Sequence, residues 1–75
     1  MKKAEDLPHA RVLLATNVHR LRTQMGVSQE RLGELAGLHR TYVSQVERQV
    51  ANVTVDNLHK LSTVLSVPVA KLFEL

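Results

Sequence analysis

Residues 29–48 read QERLGELAGLHRTYVSQVER, and this stretch constrains the fold more than any other. It is rich in helix formers yet carries two glycines, Gly33 and Gly37. Ser28 is a suitable N-cap for a helix over Gln29 to Ala36. Gly37 stops that helix, because a residue without a Cβ enters the left-handed region without a clash. Leu38 then lies in a three-residue turn, and a further helix runs from about Arg40 to Arg48. Two helices joined so tightly cross at a steep angle and need a small residue at their closest approach. Gly33, four residues before the turn, fits that place. Its propensity cost of roughly 1 kcal/mol is of a size that closer packing offsets. Leu32, Ala36, Leu38, Val43 and Val46 then fill the wedge, and the pair reads as a helix-turn-helix.

The rest of the chain keeps the helical period. Leu14, Val18, Leu21 and Met25 recur at spacings of four, three and four, one face of a first helix that starts near Pro8 and ends at Gly26. In the second helix Leu32, Leu35 and Ala36 form the buried side; in the third, Val43 and Val46 face inward and Tyr42 partly so. Thr54 caps a fourth helix with Leu58, Leu61 and Leu65 on its inner face, and Asp56 favours its positive end. Pro68 opens a short fifth helix to the C-terminus that buries Leu72 and Phe73. Nothing alternates long enough to suggest a strand. The expected fold is all-α: a flexible charged segment over 1–7, then a five-helix domain over 8–75 with its helix-turn-helix at 29–48.

Seventy-five residues allow one small domain, and one Tyr, one Phe and no Trp leave it an aliphatic core. Such a core gives a small margin. With no Cys there are no disulfides or thiolate metal sites, so a second subunit is the expected source of further stability. The absence of Cys also fits a reducing setting, and a cytoplasmic location is expected. Ten basic against seven acidic residues give +3 with His neutral, which suits a polyanionic partner and equally an ordinary solvated surface. The run Val12-Leu13-Leu14-Ala15 is too short to span a bilayer, and acidic residues and Pro precede it, a poor pattern for a signal peptide. No membrane association is expected. His9, His19, His39 and His59 lack metal-ligand spacing, and no nucleophile–base pair or Gly-rich phosphate loop is visible. Neither an enzyme nor a metal or other cofactor is expected.

The pattern Gln29, Leu32, Gly33, Ala36, Gly37, Leu38, Val43, Ser44, Val46, Glu47 resembles the helix-turn-helix of the phage Cro and repressor (XRE) family. LRTQMGVSQERL before it resembles the family's lead-in, and TVDNLHKLSTVLSVPVAKLFEL its closing two helices. The likeness covers about residues 10–75 and implies a lambda-repressor-like fold. More narrowly, HRTYVSQVER followed by NVTVDNLHKL resembles the controller proteins of restriction–modification systems. Gln49 departs from the family, which often has Gly at the end of the third helix; Gln enters the left-handed region only at a cost.

Arg22 and Glu47 lie on the inner faces of the first and third helices, beside Leu21 and Val46. A lone buried charge is costly whereas a hydrogen-bonded pair is tolerable, so an Arg22–Glu47 ion pair is expected, and the resemblance implies the same. The alternative has both side chains reaching water at the rim.

With Val43 and Val46 inward, the third helix offers Arg40, Thr41, Ser44, Gln45 and Arg48 outward. In a helix-turn-helix the start of this helix enters the major groove of double-stranded DNA. Arg40 suits the O6 and N7 of guanine, Gln45 suits adenine, and Thr41 a thymine methyl or base edge, with Ser44 beside them. Each alone could equally be a solvated side chain. Gln29 is the phosphate contact the resemblance implies, and the helix N-terminus favours an anion there. His39, Tyr42, Arg48, Asn52 and Thr54 are further phosphate candidates. A homodimer on a roughly palindromic operator is expected, as in the relatives it resembles, joined through Val67, Val69, Phe73 and Leu75; the alternative is that these residues close the core of the single chain. No small-molecule effector is expected. The function implied is a sequence-specific transcriptional regulator; the alternative is an antitoxin-type module of a toxin–antitoxin pair that binds a protein partner.

Overall fold

Local capping chemistry sets nearly every boundary in the computed structural model, which describes residues 6–75; most of the segment expected to be flexible lies outside the described residues. The chain forms α1 (Ala10–Met25), α2 (Gln29–Ala36), α3 (Arg40–Glu47), α4 (Val55–Leu65) and a closing 3-10 helix (Val69–Phe73), with no strand among the described residues. His9 caps α1, its Nδ1 accepting the Arg11 N–H at 3.0 Å. Pro8 therefore precedes the cap and does not occupy the first turn. Ser28 and Thr54 cap α2 and α4 through their hydroxyl oxygens, at 2.9 and 3.1 Å. Gly37 ends α2 at φ 69°.

The core is a single aliphatic cluster that includes Leu14 and Val18 of α1, Leu32 of α2, Val43 and Val46 of α3, Leu61 and Leu65 of α4, and Leu72. α2 and α3 meet backbone to backbone. A Cβ on Gly33 would lie 2.6 Å from the Leu38 carbonyl oxygen and 3.2 Å from the Arg40 nitrogen, so only glycine allows this approach.

Three expectations need correction. The fifth helix is a 3-10 turn and not an α-helix. Its first bond runs from the Lys71 N–H to the Pro68 carbonyl at 2.9 Å, and the buried Asn17 amide of α1 donates to the carbonyls of Leu72 and Glu74 at 3.1 and 2.9 Å. A segment this short has its last carbonyls satisfied from outside and gains little from an α ladder. Leu35 is 44% exposed, because α2 turns Leu32, Gly33 and Ala36 inward and leaves Leu35 on the flank. Met25, 45% exposed, ends a stripe that already runs off the core at the half-buried Leu21.

Gln49 adopts φ 68°, so the chain leaves α3 through the left-handed region although no glycine is present. Arg11 braces the loop that follows: its Nε donates to the Ala51 carbonyl at 3.2 Å, and its Nη2 to Asn52 Oδ1. No described helix is long and apolar enough to cross a membrane.

Candidate nucleic-acid interface

α3 is pinned by Val43 and Val46, both essentially without exposure. This fixes its rotation. Arg40, Thr41, Gln45 and Arg48 lie exposed on the opposite side, with Ser44 half-buried at its edge. The first turns of α2 and α3 flank an open cleft of about 480 Å³, lined by Arg22, Ser28, Gln29, Glu30, Arg40, Thr41 and Ser44. Polar side chains from both helices of the motif thus converge on one surface, which is the arrangement a duplex requires.

Beneath that surface lies a charged network. Arg22 Nε donates to Glu47 Oε2 at 2.6 Å, and Arg22 Nη2 to Glu47 Oε1 at 3.0 Å, a two-point contact between α1 and α3. Arg22 Nη1 also donates to the Val27 carbonyl at 2.9 Å. The Glu47 side chain is only 7% exposed and that of Arg22 12%. Burial by itself pushes the Glu47 carboxyl up, but hydrogen bonds from Arg22, His19 and Gln29, with the Arg22 charge, outweigh it and hold the group below the ordinary carboxylate range. The bond to Glu47 holds the Arg22 guanidinium still more firmly protonated, against an opposing effect of burial.

The remaining candidates occupy distinct places. Gln29 Nε2 donates to Glu47 Oε1 at 3.2 Å, so the side chain at the start of α2 is anchored to the same carboxylate. His39 is the N-cap of α3, its Nδ1 accepting the Thr41 N–H at 3.0 Å. The Thr54 hydroxyl is occupied in capping α4, and Asn52 is held by Arg11. The Tyr42 hydroxyl is buried and has no hydrogen-bond partner among the described residues. A phosphate contact by Tyr42 requires this hydroxyl to turn out of its covered position. Of the residues assigned to a dimer contact, Val67, Val69 and Phe73 pack partly against the core, whereas Leu75 is 86% exposed.

Sequence reasoning missed Glu30, whose Oε2 accepts from Arg40 Nη1 at 3.0 Å. It also missed His19, with Nδ1 2.9 Å from Glu47 Oε1. Their partners lie 10 and 28 positions away on other helices, although His19 also stands three residues before Arg22 on the same face of α1, its Nδ1 3.2 Å from Arg22 Nη2. Asn17 did leave a signal: it is a polar residue directly beside Val18 on the inner face of α1.

Comparison with known proteins identifies the family of the fold. A helix-turn-helix family model matches residues 18–72. The control protein C.SmaI of Serratia marcescens is 47% identical over 60 residues, spanning 80% of this chain and 71% of that protein. The control protein C.BamHI of Bacillus amyloliquefaciens is 41% identical over 58 residues, spanning 76% of this chain and 72% of that protein. The crystal structure of the restriction-modification controller protein C.AhdI from Aeromonas hydrophila superimposes with a TM-score of 0.80 at 43% identity, covering 84% of this chain and 96% of that one. The chain therefore belongs to the XRE-type helix-turn-helix family of DNA-binding transcription regulators, with restriction–modification control proteins among its homologues.

Proposed function

We propose that the protein is a restriction–modification controller: a homodimer that binds a roughly palindromic operator and regulates transcription from it. One observation carries this reading. Val43 and Val46 are consumed by the core, which leaves Arg40, Thr41 and Gln45 on an open face beside the N-terminus of α2. In this reading α3 lies in the major groove. Arg40 donates to guanine, Gln45 pairs with adenine, and Thr41 and Ser44 touch neighbouring base edges. Gln29 and the amides at the start of α2 meet a phosphate, with Arg48 and the loop at Asn52 and Thr54 following the backbone; these contacts set register and carry no sequence information. His39 contributes by capping α3 and so aiming Thr41. The second subunit joins through Val67, Val69, Phe73 and Leu75, placing a second α3 one DNA turn away, about 34 Å.

Footprinting on the DNA upstream of the protein's own gene tests this reading. The wild-type chain protects a site with two related halves. Arg40→Ala retains its helical circular dichroism but loses at least about tenfold in preference for that site over scrambled duplex, the discrimination a forked arginine–guanine contact supplies. Undiminished preference in Arg40→Ala contradicts the assignment.

A further inference from the structure

We propose that Glu30 is a specificity-determining residue that touches no base: it orients the Arg40 guanidinium for reading. The inference rests on the base-reading role of Arg40 proposed for this surface. Glu30 Oε2 accepts from Arg40 Nη1 at 3.0 Å, beside the cleft between the first turns of α2 and α3. Both side chains are mostly exposed, and an exposed pair of this kind contributes little to folding. What it fixes is direction. A guanidinium carries five N–H donors in one plane. With Nη1 turned to Glu30, the edge bearing Nη2 and Nε remains available, and that edge is a two-donor fork of the shape that matches N7 and O6 of guanine. Carboxylate and base therefore use different parts of the same plane and do not compete.

The frame that holds the two groups is stiff. Glu30 stands in the first turn of α2, where the helix dipole favours a carboxylate, and Arg40 is the first residue of α3. The close approach at Gly33 locks the two helices together at the Arg40 backbone itself. An untethered arginine adapts to several bases and to phosphates, losing rotamer freedom whichever it meets; a tethered one is already arranged for a single edge. The carboxylate also acts against wrong partners. Negative charge beside Arg40 disfavours an approach in which this arginine merely neutralises phosphate, so binding to arbitrary duplex is held down.

A double-mutant cycle on discrimination tests the proposal. The operator is first selected from a random duplex library with the wild-type chain. Wild type, Glu30→Ala, Arg40→Ala and the double variant are then titrated at fixed salt against three duplexes. These are the selected duplex, the same duplex altered at the base pair whose preference Arg40→Ala erases, and an unselected duplex. Glu30→Ala is expected to reduce discrimination at that base pair about fivefold when Arg40 is present, and less than about twofold when it is absent. It is also expected to bind unselected duplex more tightly, with a thermal midpoint lowered by only a few degrees, the size of the lost charge–dipole term at the start of α2. Full discrimination in Glu30→Ala overturns the proposal. So does an equal loss in both backgrounds, which would mean that Glu30 reads a base directly, as a carboxylate accepting from cytosine N4. If the wild type selects no sequence at all, the reading of Arg40 fails first and takes this inference with it.

Discussion

Glu47 shows how one residue joins fold and surface. Its carboxylate ties α1 to α3 through Arg22 and holds the Gln29 side chain at the start of α2. Glu47→Gln leaves the largely covered Arg22 without a counter-charge; removing one partner of a fully buried pair costs roughly 3–5 kcal/mol, and this part-buried pair is expected at or below the lower end of that range. A urea titration should show that loss as a lower midpoint. The carboxyl is held below its ordinary value in the folded chain, so the stability it contributes is present above the unfolded value of about 4.3 and is lost as pH falls through the folded one. The gap between wild type and Glu47→Gln is therefore expected to be full at neutral pH and to narrow under acid; a gap that widens on acidification would rule out the Arg22-paired carboxylate as its cause. In the sequence, helical spacing alone turned two opposite charges, Arg22 and Glu47, toward one contact. The part played by His19 and Gln29 was not legible, because it depends on how close three helices come.

At the scale of elements, the bounds of α2 followed from chemistry written beside it. Ser28 supplies the opening acceptor and Gly37 the left-handed exit. Gly33 was legible as the crossing point because no other small residue stands at the required distance from the turn. Gly33→Ala is expected to destabilise the chain by about 1–3 kcal/mol, the usual range for overpacking, since the added Cβ meets a backbone oxygen that cannot rotate away. Chemical denaturation measures this, and a neutral result would mean that the two helices are free to separate. Other features were less legible. Apolar residues mark a face but not its width, so Leu35 and Leu32 look alike in sequence while only Leu32 is covered. The last turn's carbonyls are met by Asn17, which lies 55 positions from Leu72, a pairing that local sequence does not show.

At the scale of the molecule, the small aliphatic core leaves Leu75 almost fully exposed beside the half-buried Phe73. Leu75→Asp removes nothing from the core of a single chain, so its effect reports on association alone. The expected outcome in sedimentation equilibrium is a dimer dissociation constant raised about tenfold, with unchanged helical content in the monomer. An unaltered association constant would move the subunit contact elsewhere. The central claim is that the Arg40–Thr41–Ser44–Gln45 side of α3 is the surface offered to a duplex. Titrating the isotope-labelled chain with its selected operator while following backbone amide resonances tests this most directly. The largest shifts are predicted over residues 39–45 and at Gln29, with Val67 to Leu75 little changed by DNA at dimer-saturating concentration. Shifts confined to α4 and the C-terminal turn, with α3 silent, would contradict the claim.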